Sequence, residues 1–454
     1  MKKVFIASAL MLTTIAAHAG GLMTNTNYHI AFDRMMARGA SFDIDAAYSN
    51  PAGLAWGHEG WQLSLNFQKP WQDRDIETTI PNYLADSGLY SGYQGFNNTK
   101  FKGKASAPIV PALFASYKKD NWAVSTMIGI VGSGGFVEYE DGIPMFNALA
   151  MGSISQTSAT AYAAGLSPAI FTPETYSIDS NVKGKQYIYG GQVNFTYKFT
   201  DYLAGAVGVR ANYYDGYSRA HVTANHPTYG TITDLRLDCV QRGWGFAPIV
   251  SVDYHQNGIA FAARYEFRTK INTKNETATL SDELPASLTA PYADGNHVRY
   301  DMPALLSVAF GYEFTPQLRA TAEYHFFDDK NAKMSGDRQK TLEGGTNEYL
   351  LGVEYDINKK FTISCGGQRT DYGLSDEYEQ HTSFACDSYS VGLGGAWNIN
   401  DKVRLNAGYF VTIYSDYTKE YSKDNGGYFG TGYPGKDTFS RTNHVIGIGL
   451  DYKF

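Results

Sequence analysis

The chain has 454 residues, with 45 acidic side chains against 38 basic ones and a formal net charge of -7. No basic stripe accompanies that modest balance, which argues against nucleic acid as a partner. Three cysteines (Cys239, Cys365, Cys386) are an odd set and exclude a complete disulfide framework, so free thiols are expected. Tyr (35), Phe (25) and Gly (47) are abundant, and aromatic residues make up 15% of the chain. That balance suits pleated surfaces rather than helices.

Lys2 and Lys3 precede an apolar run from Val4 to Ala17, closed by Ala17-His18-Ala19. A positive head, a short greasy middle and an Ala-x-Ala end predict a secretory signal peptide over residues 1–19, with Gly20 starting the mature chain. The run falls short of the roughly 20 apolar residues of a spanning helix. Residues 20–60 show no period-2 pattern, yet they hold Ile30, Phe32, Met35, Met36, Phe42, Leu54 and Trp56. Exposed linkers avoid such residues, so this segment is expected to fold as a hatch inside the larger C-terminal domain.

Residues 61–454 alternate in polarity. Trp61, Leu63, Leu65 and Phe67 stand against Gln62, Ser64 and Asn66. The same rule governs Trp122 to Ile130, Val193 to Phe199, Leu203 to Val209, Ile259 to Phe267, Leu306 to Tyr312, Leu318 to Tyr324, Tyr389 to Trp397 and Val403 to Tyr409. It closes with His444, Ile446, Ile448, Leu450, Tyr452 and Phe454. Charges keep to one side throughout, as strands with one face in lipid and one in a lumen require.

Short turns (Lys118 to Asn121, Thr200 to Asp201, His255 to Asn257, Thr315 to Gln317, Asn358 to Lys360, Asn400 to Asp401) alternate with long connections. The long ones run roughly over 69–108, 134–185, 215–242, 272–299, 328–346, 371–385 and 414–439. Outer-membrane barrels have short periplasmic turns and long external loops. The segments number about fourteen, an even count, as such barrels require. Tyr117, Trp122, Phe199, Tyr202, Tyr254, Phe314, Phe361 and Trp397, at the short-turn ends, read as the periplasmic girdle. The fold class expected is therefore all-β: an antiparallel transmembrane barrel of about fourteen strands with an N-terminal hatch in its lumen. Lipid cannot satisfy backbone groups, so the strands must close on themselves.

Within the hatch, Ala37-Arg38-Gly39-Ala40-Ser41 and then Asp45-Ala46-Ala47-Tyr48-Ser49-Asn50-Pro51-Ala52-Gly53-Leu54-Ala55 resemble the hatch of the outer-membrane long-chain fatty-acid transporter family, FadL type, which includes toluene and xylene channels. Asp45, Asn50, Pro51 and Ala52 match that family's Asp-Ala segment and Asn-Pro-Ala element. The resemblance spans the mature chain in architecture and about twenty residues in motif. Two departures stand out: Gly20-Gly21-Leu22-Met23-Thr24 does not match the enterobacterial N-terminus, and the lumen is rich in charge. The resemblance implies passive uptake of hydrophobic small molecules, fatty acids or aromatic hydrocarbons, across a bacterial outer membrane. Lipid, lipopolysaccharide and the barrel-assembly machinery are the other expected partners.

Ile143 to Phe171 carries Met145, Phe146, Leu149 and Met151 with many alanines and no charge. Such a patch marks either an interaction site or a lid; the family resemblance implies a helical groove that collects substrate. Inward Arg210, Arg264, Arg319 and Arg404 are candidates to meet a ligand carboxylate, against the alternative that the inward arginines and glutamates (Glu266, Glu323 and Glu354 among them) pair with one another or with the hatch. Gly129, Gly132, Gly134 and Gly135 either open a side exit or begin the loop, and the loop is the expected reading. Ser440 and His444 share a face without a third partner, so no enzyme is expected. No metal or cofactor is expected either. The rival functions are a polar-solute porin and a non-transporting barrel such as an adhesin.

Overall fold

The computed structural model describes residues 23–81, 83, 95–165, 175–281 and 289–454. The expected signal peptide, the hatch up to Leu22 and the apolar loop from Leu166 to Phe171 lie outside the described residues. Along the chain run β1 (Gly60–Pro81), β2 (Gly95–Ser106), β3 (Val110–Lys119), β4 (Trp122–Tyr139), β5 (Ser177–Lys198), β6 (Leu203–His226) and β7 (Gly230–Gln256). Then come β8 (Ile259–Glu266), β9 (Asn272–Leu280), β10 (His297–Arg299), β11 (Leu305–Thr315), β12 (Leu318–Phe327) and β13 (Thr346–Asp356). β14 (Phe361–Asp371), β15 (Ser388–Asn398), β16 (Val403–Tyr414), β17 (Tyr417–Tyr421) and β18 (Gly435–Lys453) complete the sheet.

All pairs are antiparallel, and β1 meets β18 from Gln62↔Lys453 to Thr79↔Lys436, which closes a barrel. Four pairs of segments are halves of one strand, because both halves pair with a shared neighbouring strand at different heights: β2 with β3, β8 with β9, β10 with β11, β16 with β17. The eighteen segments are thus fourteen strands.

Side chains segregate as the alternation requires. Val207 is 59% exposed and Leu393 56%, on the outside, whereas Gln62, Ser64, Asn66 and Gln68 are buried inside. Trp61, Tyr197, Phe199, Trp397 and Phe454 ring the short-turn end; Trp71, Tyr189, Tyr213, Trp244 and Tyr389 ring the outside about eight to ten residues higher. At ~3.4 Å per residue on tilted strands this separation is roughly 20–25 Å, the height of a lipid-facing band.

Above the upper ring the structure corrects the loop limits read from sequence. β5, β6 and β7 run for 22, 24 and 27 residues. The connection expected over 215–242 is a hairpin paired up to His226↔Gly230. Outward positions there are polar (Lys185, Tyr217, Arg219), so the greasy-polar alternation ends where the lipid ends, but the ladder does not.

The hatch fills the lumen with short pieces: α1 (Ile30–Arg34), α2 (Ala46–Ser49) and a 3₁₀ turn at Pro51–Trp56. Helices of four or five residues are not stable alone, so the wall must hold them. α1 lies on a track of inward glycines. An added Cβ at Gly447 would come 2.4 Å from Asp33 Oδ2 and from Ile30 Cδ1; at Gly408, 2.7 Å from Asp33 Cβ; at Gly392, 2.6 Å from the Asp33 carbonyl. The track extends to Gly366 and Gly352, where a Cβ would meet Met36 N at 2.6 Å and Met35 Cγ at 2.5 Å. Register sets Gly352 opposite Gly366, Gly366 opposite Gly392, and Gly408 opposite both Gly394 and Gly447.

Candidate functional site

The family-like hatch motif is where the hatch meets the wall. Asn50 Nδ2 donates to Asp253 Oδ2 at 2.5 Å and the Ala52 amide to Ser251 Oγ at 3.0 Å, both on β7. From β5, Thr196 Oγ1 donates to the Pro51 carbonyl at 2.8 Å, and Gln192 and Asn194 donate to the Ala47 carbonyl at 3.0 and 2.9 Å. Asp45 is fully buried and receives both Arg38 Nε (2.7 Å) and Nη2 (3.0 Å), which ties the hatch loop to itself. Charge-assisted bidentate contacts of this kind fix geometry as well as add energy.

Sequence reading did not single out four further anchors. Arg34 pairs with Glu354 and donates to Ser364 Oγ at 2.8 Å. The amides of Arg38 and Gly39 both donate to Glu323 Oε2 at 2.8 Å. His29 Nε2 lies 3.1 Å from Asp451, and the Asn25 amide donates to Glu348 at 2.8 Å. The available signal was complementary charge: a hatch with two arginines inside a wall with inward glutamates.

Of the four arginines singled out as ligand candidates, three meet wall carboxylates and the fourth faces the hatch. Arg210 is fully buried against Glu266, and Arg264 donates to the other Glu266 oxygen at 2.5 Å. Their guanidiniums sit 5.5 and 5.0 Å from the Tyr48 ring of the hatch. Arg319, nearer the short-turn end, pairs with Glu354 and with Asp356 at 2.8 Å; Arg404 lies 4.0 Å from Asp43.

Among the described residues, two small spaces flank the hatch. A void of about 30 Å³, roughly one water's worth, lies among Met23, Phe32, Met36, Tyr48 and Phe327. A vestibule of about 210 Å³ opens among Asp43, His255, Arg319, Glu354 and Arg404, and Arg38 lines both. The hatch therefore obstructs the straight route through the barrel.

At the outer mouth, α3 (Pro144–Ala163) lies on the inward faces of the strand extensions. Met145 and Phe146 are 7% and 5% exposed and join a cluster with Ile76, Phe101, Tyr139 and Val182; Leu149 and Met151 pack against it, partly buried. The helix is pinned by Tyr83, whose hydroxyl donates to the Ala148 carbonyl at 3.0 Å, and by His381, whose Nδ1 accepts the Met145 amide at 3.2 Å. Beside it a cleft of about 550 Å³ has Phe96, Phe101, Met151 and Ile178 on its lining together with polar and charged side chains that include Lys100, Glu140, Asp141, Asp179 and His221. Nearby, Glu379 is buried in the connection after β14, receives two contacts from the Ala385 amide at 3.2 and 3.1 Å, and is pushed up to about 8 by burial.

The glycines of the third strand do not begin a loop, contrary to expectation. They lie inside β4, which stays paired with β5 up to Tyr139↔Val182. Two register shifts interrupt that ladder, at Ile130/Gly132 and Ser133/Gly135. On the other side, β3 pairs with β4 only as far as Ala112↔Gly129, and β2 resumes only at Ser106↔Phe136. Among the described residues, Ile130 to Gly134 thus have no ladder partner on that flank. Pro108 and Pro111 stand opposite, and neither has an N–H to donate. Gly135 has φ +67° and lies so close to Ser106 that a Cβ would sit 3.0 Å from its carbonyl. The break begins level with the upper aromatic ring, since Ile130 pairs with Tyr189. Behind it are the buried side chains of Met127, Val131 and Ile188, beside Met23 and Tyr28 of the hatch.

A closed fourteen-stranded barrel with a lipid-facing band and an internal hatch is a transmembrane β-barrel of the outer-membrane type. No protein-family model matches the chain, and no curated protein matches it by sequence. Solved structures do. A Pseudomonas aeruginosa FadL homologue shares 13% identity at a TM-score of 0.66, over 96% of this chain and 100% of its own. The P. putida toluene transporter TodX shares 13% identity at 0.56, over 97% and 99%. The Ralstonia pickettii toluene transporter TbuX shares 15% at 0.50, over 90% and 94%. The fold is that of the FadL-type channels.

Proposed function

We propose that this barrel passes hydrophobic small molecules inward down their gradient, by way of the break in its wall. The observation that carries the reading is the break itself: Ile130 to Gly134 of β4 lack a ladder partner on the β2–β3 side, starting level with the upper aromatic ring at the rim of the lipid-facing band, backed by apolar side chains and lying above a hatch that obstructs the straight path. A molecule collected in the cleft beside Met151, Phe96 and Phe101 would pass under α3, whose Met145, Phe146 and Leu149 form the greasy floor. It would then leave sideways into the bilayer. Arg210 and Arg264 lie beside Tyr48 of the hatch and share Glu266, and Arg319, nearer the short-turn end, meets Glu354 and Asp356, so all three guanidiniums are balanced at least in part by wall carboxylates. That balance favours uncharged substrates such as alkylbenzenes over fatty-acid carboxylates, in keeping with the toluene transporters that share the fold. Such transport makes and breaks no covalent bond.

The test is a chain lacking Ser133 and Gly134, which restores the β4–β5 register and shortens by two residues the stretch that β2 and β3 leave without a partner, without changing which residues face the lumen. Its uptake of labelled toluene should fall at least about tenfold, with the barrel still folded and its permeability to sugars unchanged in liposome swelling. Wild-type uptake through the shortened break would overturn the lateral route. Rapid sugar permeation by the native protein would instead point to a porin.

A further inference from the structure

The strand extensions carry a second surface outside the barrel. Directly above the ring formed by Tyr189, Tyr213 and Trp244, the outward face of β5–β9 presents Lys183, Lys185, Arg219, Arg242 and Lys274. In the ladders Lys183 stands opposite Arg219, and Arg242 opposite Lys274. Like charges directly across a strand pair destabilise the sheet, and a chain with net charge -7 had many acidic side chains to place there instead. Local acids balance part of the field: Lys183 meets Glu138 at 2.6 Å, Lys185 meets Asp215 at 2.5 Å, Arg219 meets Asp238 at 3.0 Å and Arg242 meets Glu276 at 2.7 Å. Lys274 has no ion pair among the described residues.

We infer that this arc binds the phosphate groups of an outer-leaflet glycolipid, seated against the wall with its acyl chains along the outward apolar side chains below. Two features favour a lipid over a free anion. The cations sit immediately above the upper aromatic ring, at headgroup height. Below them the same strands present Tyr189, Val193, Val207, Val209 and Phe246, all exposed, as a surface for hydrocarbon. Tyr217 lies within the cation rows, with Arg219 at 4.5 Å and Lys185 at 5.5 Å from its ring centre, which holds both cations flat to the wall. Each cation near a membrane surface contributes a factor of about 5 to retention of an anionic lipid.

The test is native mass spectrometry of the full-length protein in detergent, titrated with lipid A, with phosphatase-treated lipid A, or with inorganic phosphate alone. Lipid A should be retained at least about tenfold better than its dephosphorylated form, and millimolar phosphate should not displace it. The double variant Arg219→Gln/Lys274→Gln should lose about 25-fold, while Arg369→Gln, on the far side of the barrel, should lose nothing. If the double variant does not assemble, Lys274→Gln alone, which breaks no ion pair, should lose about fivefold. Equal retention of both lipid forms, displacement by phosphate, or undiminished binding by a folded variant would each overturn the inference.

Discussion

Gly408→Val tests whether the hatch is held by the shape of the wall. A Cβ at Gly408 would lie 2.7 Å from Asp33 Cβ, 3.0 Å from the Arg34 amide nitrogen and 3.1 Å from the Asp33 carbonyl carbon. Two of these are backbone atoms of α1, which cannot rotate aside, so either the helix retreats or the strand bows. Overpacking of this kind costs about 1–3 kcal/mol, enough to shift a docked hatch toward an undocked one roughly 5- to 150-fold. Adding Gly392→Val, where a Cβ would come 2.6 Å from the Asp33 carbonyl oxygen, should about double the penalty. The outer face is untouched, so the barrel should keep its heat-resistant mobility on gels. Its single-channel conductance and its swelling rate with sugars should rise. Gly367→Val is the control: it lies on the lipid side, and the nearest atom to its added Cβ is 3.6 Å away. If the double variant stays as tightly sealed as wild type, shape does not hold the hatch.

Leu393→Arg and Val207→Arg should each lower the unfolding free energy by about 2–4 kcal/mol if they lie at mid-bilayer, read from urea titration in lipid; wild-type midpoints for both would reverse the face assignment. Arg210→Met removes one partner of a buried pair and should destabilise the barrel by about 3–5 kcal/mol. Toluene uptake per folded molecule should stay the same, and a selective rise in KM without loss of stability would make Arg210 a substrate contact. Glu379 binds its proton more tightly when folded, up to about 8 against a usual 4.5. Between those values the folded connection holds a proton that the unfolded chain has released, so its stability should fall as pH rises across that window. Hydrogen exchange at Ala385 should accelerate from pH 5 to 8 beyond the intrinsic rate, and Glu379→Gln should flatten that slope.

Barrel, orientation and hatch were legible because lipid imposes a strict rule on outward side chains, and Val193, Phe195 and Tyr197 obey it. Where lipid ends the rule ends, so the extensions carrying Lys185, Tyr217 and Arg219 read as loop although their backbone ladder is unbroken. The break in β4 was half visible: its glycines stood out, but only the partner register shows that Ile130 to Gly134 lack a ladder partner on the β2–β3 side. The glycine track was scattered over the sequence from Gly352 to Gly447 and became one surface only when adjacent strands aligned. The luminal arginines were correctly placed inside. Their shared glutamates, Glu266 and Glu354, could not be assigned from periodicity, because it says which face a charge occupies and not which neighbour it meets.

The glycine track also bears on the order of assembly. α1 belongs to the first few dozen residues of the chain, yet it rests on β13 to β18, the last strands to be synthesised; Arg34 and Glu354 are 320 residues apart. A segment this short has no structure to keep while it waits. Plugging and closure are therefore coupled in time: the C-terminal sheet must form around the N-terminal segment, since a sealed cylinder leaves no width for threading it afterward. A barrel that closed empty would be a dead end in biogenesis, and a leak.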